Sequence, residues 1–452
     1  MLIAKSKGDL EDPKYPRSPS PSSTWSATDE RQARRKIDFS VLPLLFLGMT
    51  VFQLDRMNVA SALTGGFGDD INVNQNTINL GNQLMFLGII VLEIPSNILL
   101  QRIGPEKWMP TQVLLFGIIA IFQVFLKNRT GFLVIRALLG LTEAGYIPGS
   151  VYTLSTWYVG PELAKRVAIL FFGMFGGNAI SPLLGAGILR LDGRHGLKGW
   201  QWIFLVEGLM TIGSAILLVV FLPRSPDRPR PFLVKRGLIA FSDHDRETLL
   251  NYRRWPHFIS TACVFSTWSP LTTYTPSIVM ALGFNRIQAN ALSAIGAFMT
   301  LPLVFFFAWL SDKTARRGLV VITAISCYLI VLIVARAVLP SVGKWNRFGI
   351  WTVVNAFAVG YHPIHNTWVQ VNCRDAGERS ISIAMWVMSA IAGLMAGTQI
   401  FRANDAPDYL RGLVIMIALV ASGLVLASTQ EVVYLFLNRR ARKQGEEAIY
   451  VP

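Results

Sequence analysis

The chain is short of charge, and shortest of acids. Asp, Glu, Lys and Arg make up 15% of its 452 residues, where a soluble domain carries roughly 25%. Cysteine is scarce: Cys263, Cys327 and Cys373 are too few and too scattered for a disulfide framework or a metal centre. The first 30 residues lack the apolar run of a cleavable leader, so the first apolar segment is expected to serve as its own insertion signal. Lys and Arg outnumber Asp and Glu by 42 to 27. No basic stripe runs along one element, however, which argues against nucleic acid as a partner.

What is abundant is apolar sequence, 52% of the chain. Runs of about 20 apolar residues recur, each long enough to cross a bilayer core of roughly 30 Å. Twelve spans are expected, near 38–62, 78–101, 108–127, 130–156, 164–190, 200–222, 254–282, 287–311, 318–338, 347–369, 379–402 and 411–438. They have to be helical, because lipid leaves an open strand edge unbonded. The fold class is therefore an all-α membrane protein.

With the N-terminus in the cytoplasm, the basic residues gather in the inner loops. These hold Arg31, Arg34, Arg35, Lys36, Arg102, Lys107, Lys165, Arg166, Arg224 to Arg254, Lys313, Arg316, Arg317, Arg374 and Arg379. The first outer loop has only Asp69 and Asp70. This positive-inside bias accounts for the net charge and puts both termini in the cytoplasm.

Two phrases then occur twice. Gly145-Tyr146-Ile147-Pro148 and Gly360-Tyr361-His362-Pro363 each lie inside a long apolar segment, with Arg166 and Arg379 following in short polar loops. Asn97-x-x-x-Gln101-Arg102-x-Gly104 is echoed by Ala308-x-x-x-Asp312-Lys313-x-Ala315-Arg316-Arg317. Repeated membrane halves form a pseudo-symmetric pair of bundles with the substrate site between them. The expected division is a disordered, Pro- and Ser-rich tail at 1–35, a six-helix bundle at 36–222, a linker at 223–253, a second six-helix bundle at 254–438 and a tail at 439–452. Four prolines, Pro223, Pro226, Pro229 and Pro231, open the linker and bar a continuous helix between the halves. A short surface helix is expected around Asp243–Glu247. A monomer is expected.

An ionisable group inside a span costs about 2.5–3.5 kcal/mol on insertion scales and needs a partner or a cavity. Asp55 and Arg56 lie in span 1, Glu93 in span 2, Arg136 and Glu143 in span 4, and Glu207 in span 6. The second half offers Arg336, His362, His365 and Glu431. Arg136 and Glu143 share one helical stripe about 10 Å apart, too far to pair but able to face one cavity. Asp55 and Asn58 share a face of span 1, and Arg56 points about 100° away. A guanidinium at mid-membrane suits a carboxylate, which it binds through two parallel hydrogen bonds. The plainer alternative is an Asp55–Arg136 bridge that ties spans 1 and 4.

His362 and His365 flank Pro363 in span 10. Two imidazoles without an acid or thiol are too few for a metal. They are either packing residues or groups that bond the substrate or carry a proton, with Asn366, Trp368 and Gln370 as further lining. Span 7 carries Trp268, Ser269, Pro270, Thr272, Thr273, Tyr274 and Pro276. Its hydroxyls either cap carbonyls freed by proline or, with Tyr274, line the path along a broken gating helix. Asn128-Arg129-Thr130 is a candidate glycosylation sequon in a short outer loop, close to the membrane for a glycan.

Asp312-Lys313-x-x-Arg316-Arg317 resembles the inner-loop signature of the major facilitator superfamily, a gating loop between helices. In the first-half copy, Asn97 and Gln101 stand where glycine and aspartate are usual. That departure is similar to the anion:cation symporter branch. So are Leu54-Asp55-Arg56-x-Asn58, Glu93-x-Pro95-Ser96-Asn97, Arg136-x-x-x-Gly140-x-x-Glu143-Ala144-Gly145-x-x-Pro148 and Trp200-x-Trp202-Ile203-Phe204-x-x-Glu207-Gly208. Ser266-Thr267-Trp268-Ser269-Pro270 and Tyr361-His362-Pro363-x-His365-Asn366-x-Trp368 resemble the fungal allantoate and nicotinate permeases.

The resemblance covers roughly residues 35–440. It implies a twelve-helix major facilitator fold and a transporter rather than an enzyme, with no cofactor beyond a proton gradient. It implies a small organic anion and a proton as cargo, and the plasma membrane as location. Arg56 would contact the substrate carboxylate with Asn58, Tyr274, His362, His365 and Asn366 around it. Arg136 and Glu143 would serve proton coupling; among the residues themselves Asp55, Glu93 and Glu207 are further candidates, with packing roles in spans 2 and 6 as the alternative for Glu93 and Glu207. Two departures stand out: the linker before Tyr252 is short, and Gly177-x-x-x-Ser181-Pro182-x-x-Gly185-Ala186 is a degraded form of the drug–proton antiporter signature. Export of an acidic metabolite is thus the alternative to uptake, and a sensor that binds without transporting is a third reading.

Overall fold

A computed structural model describes residues 27–158, 160–224, 252–373, 376–444 and 450–451. The expected linker at 223–253, with its short helix, falls almost wholly outside the described residues, as do the first 26 residues. Every regular element among the described residues is helical. Among the same residues, nine stretches are long and apolar enough to cross a membrane, from Arg34–Thr64 through Leu410–Lys443. The other three expected crossings are present as shorter helices. Span 7 is α10 (Trp255–Ser266) followed by α11 (Trp268–Ala281), span 10 is α14 (Lys344–Phe357) followed by α15 (His362–Val371), and span 11 is α16 (Ala376–Gly397). With twelve crossings the start of the first and the end of the last lie on one face, called here the terminal face. The opposite one is the far face.

The first half contains α1 (Ala27–Ser40), α2 (Leu42–Thr64), α3 (Phe67–Asp70), α4 (Gln75–Ile103), α5 (Pro105–Phe122), α6 (Arg129–Glu143), α7 (Tyr146–Ser155), α8 (Gly160–Ile188) and α9 (Gly199–Phe221). The second adds α12 (Arg286–Thr314), α13 (Arg317–Val338) and α17 (Leu410–Lys443) to those named above. Three helices that start on the far face are capped alike. Asn74, Asn128 and Asn285 accept from the backbone amides of Thr77, Gly131 and Gln288, which satisfies one open donor at each N-terminus. The exposed sequon residue Asn128 is thus a helix cap.

The doubled Gly-Tyr-x-Pro phrase is where two helices break. Span 4 parts between α6 and α7 at Ala144–Gly145, and span 10 parts between α14 and α15 just before His362. Gly145 takes a left-handed φ of +80°, and a Cβ there would lie 2.6 Å from Ser96 Oγ, so both its backbone and its space call for glycine. The open backbone groups are bonded from neighbouring helices: Gly145 donates to Glu93 Oε2 at 3.0 Å, and Gln112 Nε2 donates to the Ala144 carbonyl at 2.7 Å. Nearby, Gly140 lets α6 ride on the backbone of α4 at Met85.

Two tail boundaries differ from expectation. The N-terminal tail expected at 1–35 is helical from Ala27, since α1 continues the first crossing outward. Its Asp38 accepts from Arg166 at 2.8 Å and from the Tyr158 hydroxyl at 2.7 Å. At the other end α17 runs on to Lys443, and Tyr450 and Val451 fold back against the bundle instead of trailing free.

Candidate functional site

The halves meet at mid-span around a cavity of about 80 Å³, room for several waters or a small ligand. Its two walls differ in chemistry. The first half supplies Gln53, Arg56, Asn82 and Arg136; the second supplies Phe265, Trp268, Trp386, His362, Ser269 and Thr273. Both guanidiniums are on the first side, while aromatic surface is on both, since Phe86 and Phe171 of the first half also line the cavity.

Arg56 reaches the cavity from α2. Its Nε donates to Glu143 Oε2 at 2.7 Å, and its guanidinium lies 4.1 Å over the Phe52 ring. The pair is asymmetric, with 11% of the Arg56 side chain exposed and none of the Glu143 side chain. Glu143 therefore sits behind Arg56, away from the cavity surface. The helix break explains how it gets there, because Glu143 is the last residue of α6 and projects toward α2 as the chain turns.

Arg136 is fully buried and differently held. It donates to Asn82 Oδ1, while its Nε and one terminal nitrogen have no hydrogen-bond partner among the described residues. A bridge from Asp55 to Arg136 does not form. Asp55 looks away from the cavity, where its Oδ2 accepts from Thr211 Oγ1 of α9 at 3.0 Å. Glu207, one turn before Thr211, is buried with neither carboxyl oxygen bonded among the described residues.

The other expected site residues part company. His362 lines the cavity, packed on Phe265 at 4.1 Å and Trp386 at 4.2 Å between ring centroids, and its Nε2 has no partner among the described residues. His365, expected beside it, is buried away from the cavity. Its Nε2 meets His257 Nδ1 at 3.0 Å, its Nδ1 meets Thr261 Oγ1 at 3.3 Å, and His257 Nε2 meets the Tyr434 hydroxyl at 3.1 Å. Asn366 accepts from Gln370, one turn on, and does not reach the cavity wall. Asn58 is buried off the wall, with both polar side-chain atoms unbonded among the described residues.

Glu93 holds the span 4 break and stays off the cavity wall. Asp312 and Arg317 approach within 3.5 Å at the terminal face, with Arg316 exposed beside them. That face also holds the buried Arg254–Glu378 pair at 2.7 Å. Sequence reasoning missed Asn82, Gln53, His257 and Gln112. The signal available was a lone polar side chain in an otherwise apolar run.

Tyr274 is not at the cavity either. It belongs to a set of polar links that join the halves at the far face. Its hydroxyl donates to Asn79 Oδ1, and Asn79 Nδ2 donates to the Phe401 carbonyl at 2.8 Å. Asn290 Nδ2 donates to Thr64 Oγ1 at 2.6 Å, and Arg286 donates to Asp192 Oδ2 at 2.7 Å. The far face is thereby closed.

The Arg286 guanidinium, followed by the Gly199 amide, holds the Asp192 carboxyl below its ordinary range. A lowered value means that this link contributes above the ordinary Asp range and is lost only as pH falls through the lowered one. Between about pH 7 and pH 5 it should not change, given an unperturbed Asp near 3.9. Spin labels at exposed positions 194 and 341, one on each half, would report it. The parent's distance distribution should stay constant over that window, and Asp192→Asn should broaden it throughout. Broadening of the parent within the window would mean that another group titrates at this gate.

The sequence profile of the Major Facilitator Superfamily matches residues 45–398, and the chain belongs to that superfamily. It is 26% identical over 449 residues to an uncharacterized transporter of Saccharomyces cerevisiae, covering 93% of this chain and 82% of that one. It is 29% identical over 310 residues to a putative tartrate transporter of Agrobacterium vitis, covering 64% and 68% of the two chains. The crystal structure of a D-xylose–proton symporter superposes with a TM-score of 0.69 at 14% identity, over 87% of this chain and 97% of that one. The protein is a membrane transporter of small molecules and not an enzyme.

Proposed function

We propose that the chain takes up a small organic anion, of the monocarboxylate, nicotinate or allantoate kind, together with a proton. It would do so at the plasma membrane with both termini in the cytoplasm, by rocking of its two halves. The observation that carries this reading is Arg136. It is a buried cation on the cavity wall whose one hydrogen bond among the described residues goes to a neutral amide, while the nearest acid on its helix, Glu143, is engaged by Arg56. A buried charge without a counter-charge costs several kcal/mol, and an incoming carboxylate would offset that cost. One relative is named a putative tartrate transporter, and tartrate is a small organic anion.

Export has less support. Gly177, part of the antiporter-like stretch, sits where a Cβ would lie 2.8 Å from the Thr50 carbonyl oxygen, so close packing of α8 on α2 accounts for it. Initial rates for labelled nicotinate, allantoate, pantothenate, tartrate and simple monocarboxylates would decide, measured in a yeast lacking its own carriers. If proton and substrate binding are linked, uptake should be several-fold faster at about pH 5 outside than at about pH 7. Efflux without uptake of any acid would overturn the proposal in favour of export, and binding without flux would make the chain a sensor.

A further inference from the structure

On the terminal face of the second half two asparagines read peptide backbone. Asn438 of α17 donates from Nδ2 to the Tyr450 carbonyl at 2.7 Å and accepts from the Tyr450 amide at 2.9 Å. Asn372, just past α15, does the same for the next residue. It donates to the Val451 carbonyl at 3.0 Å and accepts from the Val451 amide at 2.8 Å. A carboxamide carries one acceptor and one donor in the geometry of a peptide group, so each side chain pairs with both backbone groups of one residue. Trp368 Nε1 donates a further bond to the Val451 carbonyl at 2.9 Å. The Tyr450 ring stacks on Tyr434 at 4.6 Å and 6°, and Arg253 hydrogen-bonds Tyr450 from the start of span 7.

We propose that this groove is a latch, with residues Tyr450–Val451 of the chain itself as its releasable occupant, and that release is felt in the substrate cavity. Three observations support the proposal. First, the contacts are specific for backbone and sit at the rim of the bundle, with Val451 exposed and Tyr450 half-buried against the buried Asn372, Asn438 and Trp368, so water can replace the occupant on these groups when the latch opens. Second, the occupant adds its own bonds to residues of spans 7, 10 and 12, beside the links these spans already make through Arg254 to the Asn372 carbonyl and through His257 to His365 and Tyr434.

Third, α15 is a short lever with the latch at one end and the cavity at the other. Asn372 follows its last turn, and His362 at its first residue lines the cavity, roughly 15 Å away at the rise of a helix. The break before His362 leaves α15 free to tilt independently of α14. Trp368, halfway along, bonds Val451 and packs edge-on against His257 at 4.5 Å. Loss of the occupant therefore removes bonds at the foot of α15 and at its middle, and leaves Arg254 and His257 as its remaining ties there.

Hydrogen exchange on the purified full chain in lipid nanodiscs tests the latch without knowledge of the substrate, so its failure is separate from failure of the transport reading. The parent should protect the amides of residues 450 and 451 at least roughly tenfold over an unstructured tail. A chain ending at residue 449 removes the occupant and no residue of any span. In it, the peptide covering 362–371 should exchange several-fold faster, while peptides from α4 and α6 keep the parent's rates. Asn438→Leu, which alters the groove from α17 alone, should free residues 450–451 and reproduce the effect. Unprotected 450–451 amides in the parent would overturn the latch. Equal exchange of 362–371 in the shortened chain would overturn its coupling to the cavity.

Discussion

Arg56→Ala is expected to abolish transport and also to weaken the protein. The substitution removes one of the two guanidiniums on the cavity wall, and it strands Glu143, whose side chain is wholly buried. Breaking a buried ion pair from one side costs about 3–5 kcal/mol, so poor expression alone would be ambiguous. The double variant Arg56→Ala/Glu143→Gln separates the two effects. A neutral amide no longer needs the guanidinium, so surface expression and thermal stability should return toward the parent's while transport stays absent. Arg56→Lys keeps the charge but loses the planar fork and the contact with Phe52, and should weaken apparent affinity by about 1–3 kcal/mol. Saturable uptake of normal affinity in the double variant would remove Arg56 from the site and leave Arg136 as the anion's anchor.

Glu143→Gln alone should uncouple the carrier. The guanidinium that neutralises Glu143 is that of Arg56, from another helix, rather than that of Arg136 on its own stripe. A substrate carboxylate that takes Arg56 competes with Glu143 for the same donors, and the displaced carboxylate then gains most from a proton. Coupling of this kind needs only a difference of a few kcal/mol between loaded and empty states. A carboxamide in place of that acid cannot make the exchange, so the variant should still swap labelled for unlabelled substrate across the membrane. It should lose accumulation against a gradient and most of the pH dependence. Uphill accumulation equal to the parent's would dismiss Glu143 as the proton carrier and turn attention to Asp55 and Glu207, the buried acids at Thr211.

Much of the architecture was legible because lipid allows few solutions. Run length gave the crossings, and the doubled Gly-Tyr-x-Pro phrase marked two positions that proved to be helix breaks. Direction around each helix was far less legible. Asp55 and Arg56 are neighbours, yet one turns to Thr211 and the other to the cavity. Nothing in the sequence says which stripe of span 1 meets the other half. His362 and His365 share a helix face, but α15 begins at His362, so one ring stands at the mouth of the break and the other is covered by α10. Tyr274 was sought at the substrate and found at the gate, because the depth of a residue along a broken span depends on where the break falls. The partners across the interface, Arg286 with Asp192 and Asn290 with Thr64, come from segments far apart in sequence and left no periodic trace.

The unequal walls of the cavity have an engineering consequence. The guanidiniums of the cavity wall, Arg56 and Arg136, and the acid behind them, Glu143, all stand on the first half. The second half supplies Trp268, Trp386, Phe265 and Ser269, and apolar lining comes from the first half as well, through Phe86 and Phe171. On the proposed function, energy coupling is thus confined to one bundle, while the fit of the cargo is shared by both. Grafting the cavity-facing residues of α10, α11 and α16 from a relative with another diet should transplant part of that relative's selectivity, with the proton stoichiometry left as it was.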